Sequence, residues 1–163
     1  MNISKSAGYA VHALAYMVTK NSDAPVQISE ISHEQQVSKT YLAKIFQQLA
    51  SAQIVVGHRG VTGGYVLSKA AQEITLLNIV EAVDGPVQRD VCCLGLLGCT
   101  VRPHCVVHRA FLTANSVFAE CLRESTLSEV AESMGDTKQP FVPPYHLQQR
   151  QVWNRYNGSC SAR

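Results

Sequence analysis

Apolar residues between positions 3 and 18 (Ala7, Ala10, Val11, Leu14 and Val18) recur at steps of three and four, the period of an amphipathic helix. Asp23-Ala24-Pro25 closes that helix, and Ile28 and Ile31 mark a short second one ending around Gln36. Val37-Ser38 reads as a tight turn. Ser38 is suited to cap a third helix, with Tyr41, Leu42, Ile45, Phe46 and Leu49 on its buried face and Lys39, Thr40, Lys44 and Gln47 opposite. Ile54-Val55-Val56 and Tyr65-Val66-Leu67 are β-prone runs around a turn containing Gly57, Gly60, Gly63 and Gly64, the pattern of a hairpin. Thr75 opens a fourth helix through Leu76, Ile79, Val80 and Val83, and Gly85-Pro86 stops it.

Further on, Val107, Phe111, Ala114, Phe118 and Cys121 trace a stripe at alternating steps of four and three, from about residue 103 to 123. Such a stripe suits a sustained helix-helix seam and predicts a dimerisation helix, on which Cys121 reads as a packing residue. Thr126 and Glu129 form a capping-box pair at the start of a last short helix containing Leu127 and Val130. Past Gly135, prolines at 140, 143 and 144 and the run Gln148-Gln149-Arg150-Gln151 predict a flexible tail.

At 163 residues, 46% hydrophobic and 16% charged, the chain suits one hydrophobic core with much helix-helix contact. Ser4, Ser6, His12 and Lys20 interrupt the apolar character of the start, so no signal peptide is expected, and no uninterrupted apolar run is long enough to span a membrane. The expected location is cytoplasmic. The net charge of +2 hides an asymmetry. Residues 1–69 carry six cations against three acids, residues 70–135 four against eight, and residues 136–163 four against one. A basic first part beside an acidic middle suits a chain whose first part meets phosphates.

Helix, helix, tight turn, helix and hairpin is the order of a winged helix-turn-helix. The predicted fold is mainly α with a small β-hairpin wing and an added long dimerisation helix. In that geometry the third helix enters the major groove of DNA and the hairpin touches the flanking backbone or minor groove. Ser38, Thr40 and Tyr41 can bond phosphates or base edges, and Lys39 and Lys44 can neutralise phosphate charge. Arg59, close to the wing glycines, could reach a narrow minor groove. The same unit also serves as a protein-interaction module, from which steep salt dependence would distinguish it.

Six cysteines in a chain expected to be cytoplasmic suggest metal or redox chemistry. Cys93, Cys99 and Cys105 are spaced by five intervening residues each, and His108 follows after two more. Gly95 and Gly98 let the loop wrap, and Leu94, Leu96 and Leu97 can shield it. Thiolates with a histidine suit an iron-sulfur cluster or zinc, although structural zinc ligands usually come in closer pairs. Cys92 is an alternative to Cys93, which preserves the equal spacing, and His104 is also near. Cys160 falls in the tail.

The residues Gly8-Tyr9-Ala10-Val11, Val37-Ser38-Lys39-Thr40-Tyr41-Leu42, Arg59-Gly60 with Gly63-Gly64-Tyr65, Ala82-Val83-Asp84-Gly85 and the three-cysteine loop together resemble one group. It is the iron-sulfur winged-helix transcriptional repressor family (IscR/NsrR-like), and the resemblance covers about residues 1–135. It implies a homodimer on a partly palindromic double-stranded DNA operator, with an iron-sulfur cluster near crossing long helices. It favours a 2Fe-2S cluster on Cys93, Cys99, Cys105 and His108 over a 4Fe-4S cluster, for which His12 of the first helix is the alternative fourth ligand. The unusually apolar loop and the extra thiol of Cys92 depart from the pattern. The expected organisation is a DNA-binding domain over 1–85, a cluster loop over 86–104, a dimerisation helix and short last helix over 105–135, and the tail over 136–163. The alternative function is a cluster-free regulator of the same fold responding through thiols, zinc or a metabolite. An enzyme or electron carrier is disfavoured, since no nucleotide-binding glycine motif, catalytic triad or second cysteine set is present.

Overall fold

Ser4 starts the first helix: its hydroxyl accepts the backbone N–H of Ala7 at 3.1 Å, satisfying one of the free donors of the first turn. The computed structural model describes residues 3–20, 24–60, 63–86 and 105–135. Helix α1 (Lys5–Thr19) buries Ala7, Ala10, Ala13, Leu14, Ala15 and Met17. Four of these six are alanines, whose small side chains let other helices approach closely, and α1 becomes the axis of the fold.

Helix α2 (Ile28–Gln35) ends in a left-handed residue, Gln36, at φ 52° and ψ 38°. The Gln36 N–H donates to the Ser32 carbonyl, and the Ser32 hydroxyl donates to the Val37 carbonyl at 2.6 Å. These bonds make the turn into α3 (Lys39–Ser51). On α3, Leu42, Ile45, Phe46 and Leu49 are buried, as the periodicity requires.

Strands β1 (Val55–His58) and β2 (Gly64–Leu67) pair antiparallel, with Val55 opposite Leu67 and His58 opposite Gly64. Val26 adds a bridge on the far side of β2, exchanging two backbone hydrogen bonds of 2.9 Å with Tyr65. The Tyr65 ring meets Phe46 of α3 at 4.9 Å between centroids, fixing the hairpin to the core.

A single 3-10 turn (Ala71–Glu73) leads to α4 (Leu76–Asp84), capped by reciprocal Thr75–Asn78 bonds and ended at Gly85. Helix α5 (Val106–Glu124) follows, then α6 (Leu127–Gly135), whose first turn carries the Thr126–Glu129 capping box expected from sequence. Leu127 and Ala131 of α6 join the core around α1.

Packing of α5 divides its surface in two. His108, Asn115 and Leu122 are buried at a spacing of seven, whereas Val107 and Phe118 of the predicted stripe are 48% and 38% exposed. Cys121 is exposed, contrary to its reading as a packing residue within the chain, because the neighbouring Leu122 faces the core instead. Among the described residues no helix is long and apolar enough to cross a membrane.

Candidate nucleic-acid interface and cluster ligands

The polar face of α3 is built as the sequence predicts, with one difference of role. Lys39, Thr40 and Lys44 are exposed together with Gln47 and Gln48. Ser38 spends its hydroxyl on capping, accepting the Tyr41 N–H at 3.3 Å, and remains exposed at the helix start. Tyr41 is half-buried: its hydroxyl lies 2.7 Å from that of Ser6, and its ring stands edge-on to Tyr9 at 5.9 Å. These contacts tie the start of α3 to α1.

Arg59 is exposed directly after β1. Two glycines shape the wing around it. Gly60 sits at φ +122°, and a Cβ on Gly63 would stand 2.5 Å from the carbonyl oxygen of His58. These two positions therefore call for glycine.

Of the predicted metal ligands, Cys105 and His108 are described, and Cys92, Cys93 and Cys99 lie outside the described residues, as does His104. Cys105 is the N-cap of α5, where its sulfur accepts the His108 backbone N–H at 3.4 Å. The His108 side chain is buried, and its Nε2 makes no hydrogen bond among the described residues. Such an atom suits ligation by a soft or borderline metal centre, because an unbonded buried nitrogen otherwise costs desolvation free energy. His12 is half-buried on α1, and desolvation lowers its pKa below the ordinary histidine value. Among the described residues no group of three or more His, Cys, Asp or Glu side chains stands where it could hold one metal ion.

A helix-turn-helix with a polar second helix, followed by a basic-tipped hairpin, defines the winged-helix class of transcriptional regulator. Residues 3–133 match the model of the Rrf2 family, described as iron-dependent transcriptional regulators, and the chain belongs to that family. It is 30% identical over 133 residues to the "HTH-type transcriptional regulator IscR" of Pectobacterium carotovorum subsp. carotovorum, covering 82% of this chain and 80% of the relative. A protein of the same name from Erwinia tasmaniensis matches with the same identity and coverage. Among solved structures, CymR, the global cysteine regulator of B. subtilis, superposes with a TM-score of 0.67 at 23% identity, over 82% of this chain and 98% of that one. T. potens IscR superposes at 0.66 and 20% identity, over 90% and 97%. The two structures establish the shared fold. The relatives are named as transcriptional regulators, a role without catalysis.

Proposed function

We propose that this regulator acts in the cytoplasm as a homodimer on a double-stranded DNA operator, and that an iron-sulfur cluster on Cys93, Cys99, Cys105 and His108 sets its operator affinity. The observation that carries the reading is the pairing of Cys105 and His108 at the start of α5. One offers a sulfur at a helix N-terminus, and the other a buried ring nitrogen without a partner among the described residues. A bound cluster supplies a redox-active centre with exchangeable ligands. In this arrangement Cys105 and His108 anchor it to α5, while Ser38, Lys39, Thr40, Tyr41, Lys44 and Arg59 form the DNA face.

The working division of labour is DNA binding over residues 1–85, ligation over 86–104 and dimerisation over 105–135. The exposed apolar stripe of α5 supports a dimer, because Val107, Ala114 and Phe118 stand in water at the spacing of one helix face, which a second copy can cover. The histidine favours a two-iron cluster with a raised potential over an all-thiolate one.

Anaerobic purification with a visible spectrum, iron and acid-labile sulfide content and native mass tests the proposal. Equal iron and sulfide that disappear in Cys93→Ala, Cys99→Ala or Cys105→Ala, in a particle of twice the chain mass, are the expected results. A colourless, iron-free dimer that still binds its operator overturns the cluster and leaves a thiol-, zinc- or metabolite-responsive regulator.

A further inference from the structure

The C-terminal end of α4 is tied to the recognition helix by polar contacts on two routes. On the direct route, Gln48 of α3 donates its Nε2 amide to the Val83 carbonyl oxygen at 3.2 Å. That carbonyl lies in the last turn of α4, where no intrahelical N–H is available to it. The indirect route begins at Asp84, whose carboxylate accepts the Ser4 backbone N–H at 2.9 Å and also the Ser4 hydroxyl. Ser4 caps α1, and two residues later Ser6 bonds the Tyr41 hydroxyl at the start of α3. An acid at the end of α4 is unfavourable for that helix alone. Its position against the N-terminus of α1 reverses the sign, because a positive helix end faces it.

These ties are surface contacts, with Gln48, Ser4 and Asp84 all exposed. The apolar core already holds α3, α4 and α1 together through Phe46, Ile79 and Leu14. What the polar ties add is a specified orientation at one end. That end is also where the chain passes through Gly85, at φ +80°, and Pro86 into the segment bearing Cys93 and Cys99.

We infer that Gln48 and Asp84 are positioning residues that couple the root of the cysteine segment to the recognition helix. A shift of the last turn of α4 moves the Val83 carbonyl and the Asp84 carboxylate together. Gln48 transfers that shift to the last turn of α3, and the Ser4–Ser6–Tyr41 path transfers it to the start. The two routes act on different turns of α3 and so tilt the helix relative to the wing. The inference rests on the cluster-and-operator reading and names the route by which cluster state would reach DNA.

The test uses the full chain as wild type, Gln48→Met and Asp84→Ala, each cluster-free and cluster-loaded, titrated anaerobically onto one labelled operator duplex at fixed salt. Amide exchange along α3 is measured in the cluster-free proteins. In wild type the two states are expected to differ about tenfold in affinity, within the range of ordinary allosteric coupling. In each variant the ratio falls below about threefold, and the α3 amides of the cluster-free protein exchange several-fold faster. A variant that lowers affinity equally in both states, preserving the ratio, shows a plain DNA contact and overturns the coupling. Unchanged α3 exchange in both variants overturns it as well. A wild type whose two states bind alike overturns the cluster-and-operator reading and this inference with it. Asp84→Asn, which keeps an acceptor, retains most of the ratio and replaces Asp84→Ala if the latter fails to fold.

Discussion

Gly64 lies against the backbone of Val26 so closely that a Cβ added to Gly64 would stand 2.5 Å from the Val26 carbonyl oxygen and 2.7 Å from its carbon. Neither atom can retreat without breaking the paired bonds between Val26 and Tyr65. Gly64→Ala is therefore expected to destabilise the fold by about 2–3 kcal/mol through forced backbone displacement. Urea unfolding measures this, and a loss below roughly 0.5 kcal/mol, the range of ordinary surface changes, would show that the approach is not needed.

Gln36 presents the opposite case, a side chain where the backbone favours none. Its φ of 52° belongs to the left-handed region, which costs an L-residue roughly 1–2 kcal/mol. Glycine removes that cost but adds freedom to the unfolded chain. Gln36→Gly should raise stability by about 0.5–1 kcal/mol, seen as a higher urea midpoint at unchanged slope.

The link between α1 and α2 predicts a pH dependence. Tyr16 donates its hydroxyl to Glu30 at 2.7 Å, and Lys20 pairs with the same carboxylate. The hydrogen bond from Lys20, then that from Tyr16, holds the Glu30 pKa below the ordinary 4.5. A depressed carboxylate contributes its stability fully above 4.5 and loses it as pH falls through the lowered folded-state value. Melting curves across that acid window should show Glu30→Gln losing less stability than wild type; parallel losses would remove Glu30 from the account.

On DNA, Arg59→Ala should weaken operator binding about tenfold and reduce the salt slope by about 1. Titrations at several salt concentrations measure both, and an unchanged slope would place Arg59 off the phosphates and the minor groove.

For the proposed dimer, a charge on the exposed stripe of α5 is decisive. Phe118→Glu buries an unpaired carboxylate in any α5–α5 seam, at a cost that ordinary dimers do not survive. Native mass should fall to that of a single chain, with the helical content unchanged.

Local pattern made much of the fold legible. The caps at Ser38, Thr75 and Thr126, the glycine stop at Gly85 and the face of Leu42, Ile45, Phe46 and Leu49 lie where periodicity and capping chemistry put them. Contacts between distant parts of the chain were not legible. Val26 carries no strand signature of its own, and its bridge to Tyr65 exists only once α2 and the hairpin are docked. Gln36 is left-handed without being glycine, so no residue type announced it. The proposed DNA face was legible as a set of exposed polar positions, but the use of Tyr41 as a tie to Ser6 depends on how α1 packs. Of the metal site, the sequence supplied all the candidate ligands, and the described residues add the environment of Cys105 and His108.

The bridge between Thr75 and Thr126 reaches beyond local stability. The Leu76 N–H donates to Ser125 at 2.9 Å and the Leu127 N–H to Ile74 at 2.8 Å, so the chain departs and returns at neighbouring points on the same seam. The seam thus joins the start of α4, whose Ile79 lies in the core, to the start of α6, which completes that core. Because backbone groups alone make these two bonds, the attachment points are held irrespective of which side chains stand at residues 74–76 and 125–127.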